Sequence, residues 1–130
     1  ILEALIILSI DQENLMNKFI NVRVNDPAFR KYGRTQRRIN DDTKIIQDSL
    51  LSLAKRQPVL ATFIDKELND LTFTQKKSID FVGDRNKKKV TQNQQGSMTS
   101  YNNLALLLNG TGGFKFLIPI SGPLESFETL

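Results

Sequence analysis

Apolar residues recur along most of this chain at helical spacing. From about Leu2 to Ile20, the residues Leu2, Leu5, Ile6, Leu8, Leu15 and Phe19 mostly keep that phase. Ile7 and Ile10 widen the apolar face near its start, which predicts burial on more than one side there. Asn21 to Gly33 reads as a joint. Asn25-Asp26-Pro27 is a helix-start signal, because Asp can cap and Pro is tolerated at the first helical position. A short helical turn is expected from Pro27 to Tyr32, ended by Gly33. A second helix is predicted from about Arg34 to Arg56, with Ile39, Thr43, Ile46, Leu50 and Leu53 on one stripe.

Gln57-Pro58 closes that helix and opens the next, because proline disfavours the α region for the residue before it. Leu60, Ile64, Leu68 and Leu71 form a stripe that Ile79 and Val82 resume, so the third helix is expected from Pro58 to about Phe81, with Gly83-Asp84 as a stop or kink. A fourth is expected from about Asn86 to Asn109, with Val90, Tyr101, Leu104 and Leu108 in phase and a bend allowed at Gly96-Ser97. Asn109-Gly110 is a helix stop, with glycine expected in the left-handed position. The fold expected is all-α: an antiparallel bundle of three to four helices over residues 1–109. Its core should hold Leu5, Leu8, Leu15, Phe19, Ile39, Ile46, Leu50, Leu53, Leu60, Ile64, Leu68, Leu71, Tyr101, Leu104 and Leu108.

Residues 110–130 differ in texture. Gly110-Thr111-Gly112-Gly113 reads as a flexible tether. Phe114 to Ile118 favours strand, and Pro119 with Ser121-Gly122-Pro123 suits an edge strand or an extended arm. A P-loop would need a strand before its glycines and a helix after them, and here the order is reversed.

Composition narrows the chemistry. The 130 residues suit one domain, and 39% hydrophobic with 25% charged residues is ordinary for a globular protein. There is no His, Cys or Trp. This chain therefore carries no thiol nucleophile, no Ser-His-Asp triad and no disulfide, and zinc or other transition-metal sites are nearly excluded. No cofactor is expected, and catalysis would have to rest on Asp, Glu, Lys, Tyr or Ser. The chain starts Ile-Leu-Glu-Ala without Met or a signal peptide, which suggests a fragment of something longer. Leu5 to Leu8 is far too short to span a bilayer, so any membrane anchor would lie outside the chain.

Net charge is +4, and its distribution matters more than its size. Arg30, Lys31, Arg34, Arg37 and Arg38 cluster around Phe29 and Tyr32, which could meet phosphates. The plainer and preferred reading is a solvated helix start, neutralised by Asp41, Asp42 and acids on neighbouring helices, with Arg38 and Asp42 spaced for an ion pair. Basic residues at a helix N-terminus oppose its dipole, which slightly favours an external anionic partner. Arg85, Lys87, Lys88 and Lys89 form a second cluster, preferred as a solvated hairpin tip over a surface for nucleic acid or anionic lipid. Asp41-Asp42 and Asp65 with Glu67 read as surface charge rather than paired catalytic or metal-binding carboxylates. The amides Gln92, Asn93, Gln94, Gln95, Asn102 and Asn103 could form register-fixing layers at a helix seam, but plain exposure is preferred.

Three stretches carry a resemblance: Ser9-Ile10-Asp11-Gln12-Glu13-Asn14-Leu15-Met16, Asp48 to Pro58 (DSLLSLAKRQP), and Ser97 to Leu108 (SMTSYNNLALLL). In this order and spacing, residues 1–109 resemble a segment of large membrane-anchored Bacteroidetes proteins that carry a domain of unknown function. The resemblance implies inner-membrane proteins with N-terminal transmembrane helices and a long helical region in the cell envelope, on the periplasmic side. It transfers no catalytic residue. In that family the third helix motif would be expected to continue past Leu108, whereas here Asn109-Gly110 stops it.

The expected function is a non-catalytic helical scaffold or interaction module of a larger envelope protein, working through protein partners or self-association. The alternative is a basic helical module binding nucleic acid through Arg30–Arg38 and Arg85–Lys89. An enzyme resting on carboxylates or lysine ranks last.

Overall fold

The computed structural model describes residues 1–110, and the tether and strand-like tail expected beyond lie outside the described residues. Four helices follow in order: α1 Leu2–Asn21, α2 Pro27–Arg56, α3 Pro58–Gly83 and α4 Lys87–Asn109. α1 packs on α2 and α4, and α3 packs on α2 and α4, so the α1–α3 and α2–α4 pairs are the diagonals of a square. Each neighbouring pair is antiparallel. Ser9 of α1 meets Asn102 of α4, while Lys87 at the start of α4 reaches Ile20 at the end of α1. Asn40 of α2 bonds to Gln75 of α3, and Thr74 of α3 to Ser97 of α4. This is the up-down-up-down four-helix bundle that short joints dictate.

α2 corrects the sequence reading. It has no joint at Gly33, because the helix runs unbroken for 30 residues from Pro27. Asp26 caps it by accepting from the Ala28 amide at 2.8 Å, and Pro27 occupies the first turn. Gly33 sits inside the helix because α3 approaches so closely: a Cβ there would lie 2.7 Å from Val82 Cγ1. Gly96 plays the same part between α4 and α3, facing Thr74, and α4 continues helical through it rather than ending or restarting there. Gly110 follows α4 at φ −84°, so the left-handed glycine expected there is not adopted.

Of the expected core, Ile46, Leu53, Leu60 and Leu108 are only half-buried, while the others are buried. Ile7 is half exposed, contrary to the two-sided burial expected for it. Val22, Phe29, Ala54, Val90, Met98, Ala105 and Leu107 complete the apolar interior among the described residues. Phe19 is the hub of the end near the α1–α2 joint. Phe29 stands edge-on to it at 5.1 Å and Tyr32 at 5.9 Å.

The centre of the bundle is polar. Gln12, Gln36 and Gln94 are fully buried and come from three helices. Gln36 Nε2 donates to Gln12 Oε1 and Asn40 Oδ1, and Gln36 Oε1 accepts from Gln12 and Gln94, so all four hydrogen-bonding positions of this amide are used. Nearby, Thr43 donates its one proton to the Ile39 carbonyl at 2.8 Å. The 2.7 Å contact with the Tyr101 hydroxyl must therefore be donated by Tyr101, and Gln75 Nε2 donates to both oxygens. Such networks reward one register and penalise slippage, since any shift strands buried donors. Gln94 and Asn102 thus join the seam, against the exposure preferred for the amide cluster. The reason is the partners, which lie 58 and 93 residues away.

Candidate functional site

The basic residues of α2 recur at i, i+4 and i+7: Arg30, Arg34 and Arg37 share the side of the helix that borders α3. Asp26 caps α2, and no further acidic residue occupies its first turn.

Arg85 joins them from the α3–α4 corner, for a reason visible in the backbone. The Asn86 amide donates to the Phe81 carbonyl and the Arg85 amide to Val82, which is the Schellman arrangement at the C-terminus of α3. That motif needs a left-handed residue, usually glycine, and here Arg85 takes it at φ 55°. The side chain then donates to the Val24 carbonyl at 2.6 Å across the α1–α2 joint. Lys87 likewise donates to the Ile20 carbonyl at 3.1 Å. The second basic cluster is therefore not simply a solvated hairpin tip, as two of its four cations hold free carbonyls at the end of α1 and beyond it.

Arg30, Arg34, Arg37 and Arg85 line one groove of about 310 Å³. Its apolar part comes from Phe29, Gly33, Ile79 and Val82, and among the described residues no carboxylate lines it. Arg37 and Ile79 also line a second cleft of about 430 Å³, so the furrow continues along the α2–α3 seam to Lys44 and Gln47. This continuation carries Asp41 and Asp80 beside Lys44 and Lys76. Among the described residues, Arg30, Arg34 and Arg37 form no ion pair. Lys31, Arg38, Lys88 and Lys89 are exposed but line neither part of the furrow. Arg38 instead pairs with Asp42 at 3.7 Å, as its spacing predicted.

The carboxylate pairs split apart. Asp41 and Asp42 face solvent or are half-buried beside Lys44 and Arg38. Asp65 is exposed, but Glu67 is buried, which corrects its reading as surface charge. Glu67 accepts from Asn103 at 2.7 Å and lies 3.5 Å from the Lys66 ammonium. Lys66 is held above its ordinary range, first by its hydrogen bond to Asp70 and then by the Glu67 charge. Burial pushes the Tyr101 hydroxyl up to about 12, against the opposing hydrogen bond it accepts from Gln75. Among the described residues no group of three or more Asp or Glu side chains is placed to hold a metal ion, and no helix is long and apolar enough to cross a membrane.

The fold and its furrow define a four-helix bundle with an arginine-rich seam. Comparison with known protein families, characterised proteins and solved structures finds no match to this chain.

Proposed function

We propose that this bundle is a non-catalytic interaction module of a larger cell-envelope protein and that it recognises a protein partner. The observation that carries the reading is the convergence of Arg30, Arg34, Arg37 and Arg85 on one groove that no described carboxylate lines, built on helices whose register is fixed by buried amides. Guanidiniums that pair with no described carboxylate, held on rigid elements, suit an anionic surface. The envelope setting rests on the resemblance of residues 1–109 alone. The test is photo-crosslinking in cells, with a benzophenone amino acid at position 34 or 37 of the full-length protein. Discrete protein adducts recovered with the envelope fraction are expected. Adducts to nucleic acid, or none from either position, overturn the reading.

Nucleic-acid binding through Arg30–Arg38 and Arg85–Lys89 is the second reading, and the same convergence of charge favours it. The two aromatics interleaved with the first basic cluster are engaged inside the bundle, because Phe29 is buried against Phe19 and Tyr32 packs on Phe19 under Lys18. Salt-titrated binding to DNA and RNA tests it: affinity absent at low salt, or indifferent to Arg37→Ala with Arg38→Ala, removes it.

A further inference from the structure

We infer that the α2–α3 furrow seats a linear acidic segment of the partner protein, with its carboxylates gathered at the end that meets Arg30, Arg34, Arg37 and Arg85. The inference rests on the protein-interaction reading and specifies its site and chemistry. Three observations carry it.

The first is shape. The groove does not close around a compact ligand. It runs on through Arg37 and Ile79 into the second cleft, so that Arg30 to Gln47 covers about 26 Å of α2 at 1.5 Å per residue. A segment laid along a helix seam matches that length.

The second is the charge pattern along it. Among the described residues one end is wholly basic, whereas the continuation is mixed, with Asp41 and Asp80 beside Lys44 and Lys76. A uniform polyanion such as a phosphodiester strand would match one end and leave Asp41 and Asp80 facing like charge further along. A polypeptide can be acidic only where the arginines are and neutral or basic opposite the two aspartates, which is the complementarity that gives specificity.

The third is the backbone of Arg85. A left-handed position that glycine would occupy without strain holds an arginine, which places a fourth guanidinium from another part of the chain onto the groove. Its bond to the Val24 carbonyl fixes where that guanidinium stands.

The experiment uses the full chain and a fluorescent oligoglutamate peptide, with amide chemical-shift mapping and anisotropy titration. Shifts confined to α2 and α3 around Arg34, Arg37, Ile79 and Val82 are expected. Arg34→Glu with Arg37→Glu should weaken binding about tenfold, as removal of two exposed pairs implies. Lys55→Glu with Arg56→Glu makes the same change in net charge outside the furrow and should leave affinity within about twofold. Arg85→Gly retains the corner and should weaken binding a few-fold, with circular dichroism confirming the fold. Equal loss in the two charge-matched doubles overturns the inference, since it would mean that net charge alone attracts the peptide. Tighter binding of an oligothymidylate of equal charge also overturns it, in favour of a phosphodiester ligand. If protein adducts form in cells while the furrow residues do not shift with oligoglutamate, this inference fails and the interaction reading stands.

Discussion

Gln12 and Gln36 exchange reciprocal hydrogen bonds of 2.8 and 2.9 Å at the centre of the bundle, with both side chains fully buried. Gln36 also bonds to Gln94 and Asn40, so a single amide ties α1, α2 and α4 together. Removing it strands three partners. Gln36→Ala is expected to cost about 2–4 kcal/mol, since each stranded buried polar group costs about 1–3 kcal/mol and partial relaxation recovers some of it. Replacing Gln12, Gln36 and Gln94 together with leucine should cost less than Gln36→Ala, because only the half-buried Asn40 then loses a partner. Urea unfolding of both variants decides it. If the triple variant is more damaged than the single one, the network does not set the energetics in this way.

Glycine tests the close approach of the helices. Gly33→Ala puts a methyl 2.7 Å from Val82 Cγ1, and Gly96→Ala puts one 2.9 Å from Thr74 Cγ2. The overpacking cost of about 1–3 kcal/mol should outweigh the gain of about 1 kcal/mol in helix propensity. Gly83 has nothing within 4 Å, so Gly83→Ala keeps only the gain and should raise the melting temperature. Adding Val82→Ala should recover part of the loss from Gly33→Ala, a coupling that a double-mutant cycle measures. A stabilising Gly33→Ala would contradict the packing described.

Tyr101 makes stability depend on alkaline pH. Below pH 10 the phenol is protonated in both folded and unfolded chains, so its full contribution is present. As pH rises from 10 to about 12 the unfolded chain ionises while the buried hydroxyl does not, and stability falls. The loss amounts to about 2–3 kcal/mol across that window. Tyr101→Phe should be less stable near neutrality by about 1–2 kcal/mol, because Gln75 and Thr43 each lose a partner. It should also lose less stability than the wild type as pH rises from 10 to 12. Parallel curves for the two proteins would remove Tyr101 as the cause.

Much of the fold was legible because helices announce themselves locally. The stripes of α1, α3 and α4 are set by neighbours three and four residues apart, and the Pro58 and Gly83 boundaries by backbone restriction. Asn25-Asp26-Pro27 marks the start of α2 correctly, but Gly33 resembles the end of a turn and was misread as one. Only the third dimension shows that Gly33 makes room for Val82. The polar core was hidden for a related reason. Gln94 is buried and Gln92 exposed, yet both are glutamines in one polar run, and what separates them is Gln36, 58 residues from Gln94. The candidate site was half legible. Arg30, Arg34 and Arg37 share a helix face by spacing alone, but Arg85 reaches them only because the corner after α3 turns left-handed.

That corner gives a last measurement. Arg85→Gly and Arg85→Ala both remove the bond to the Val24 carbonyl, and both remove one guanidinium from the groove. They differ in the backbone: alanine keeps the penalty of a left-handed φ, whereas glycine has none. The glycine variant should therefore be the more stable of the two by about 1 kcal/mol, read as a higher denaturant midpoint at unchanged slope. Because the lost side-chain bond is common to both, the difference isolates the backbone strain at Arg85. Equal midpoints would mean that the left-handed conformation costs nothing there, and the case for an arginine held in place for its side chain would lose its energetic basis.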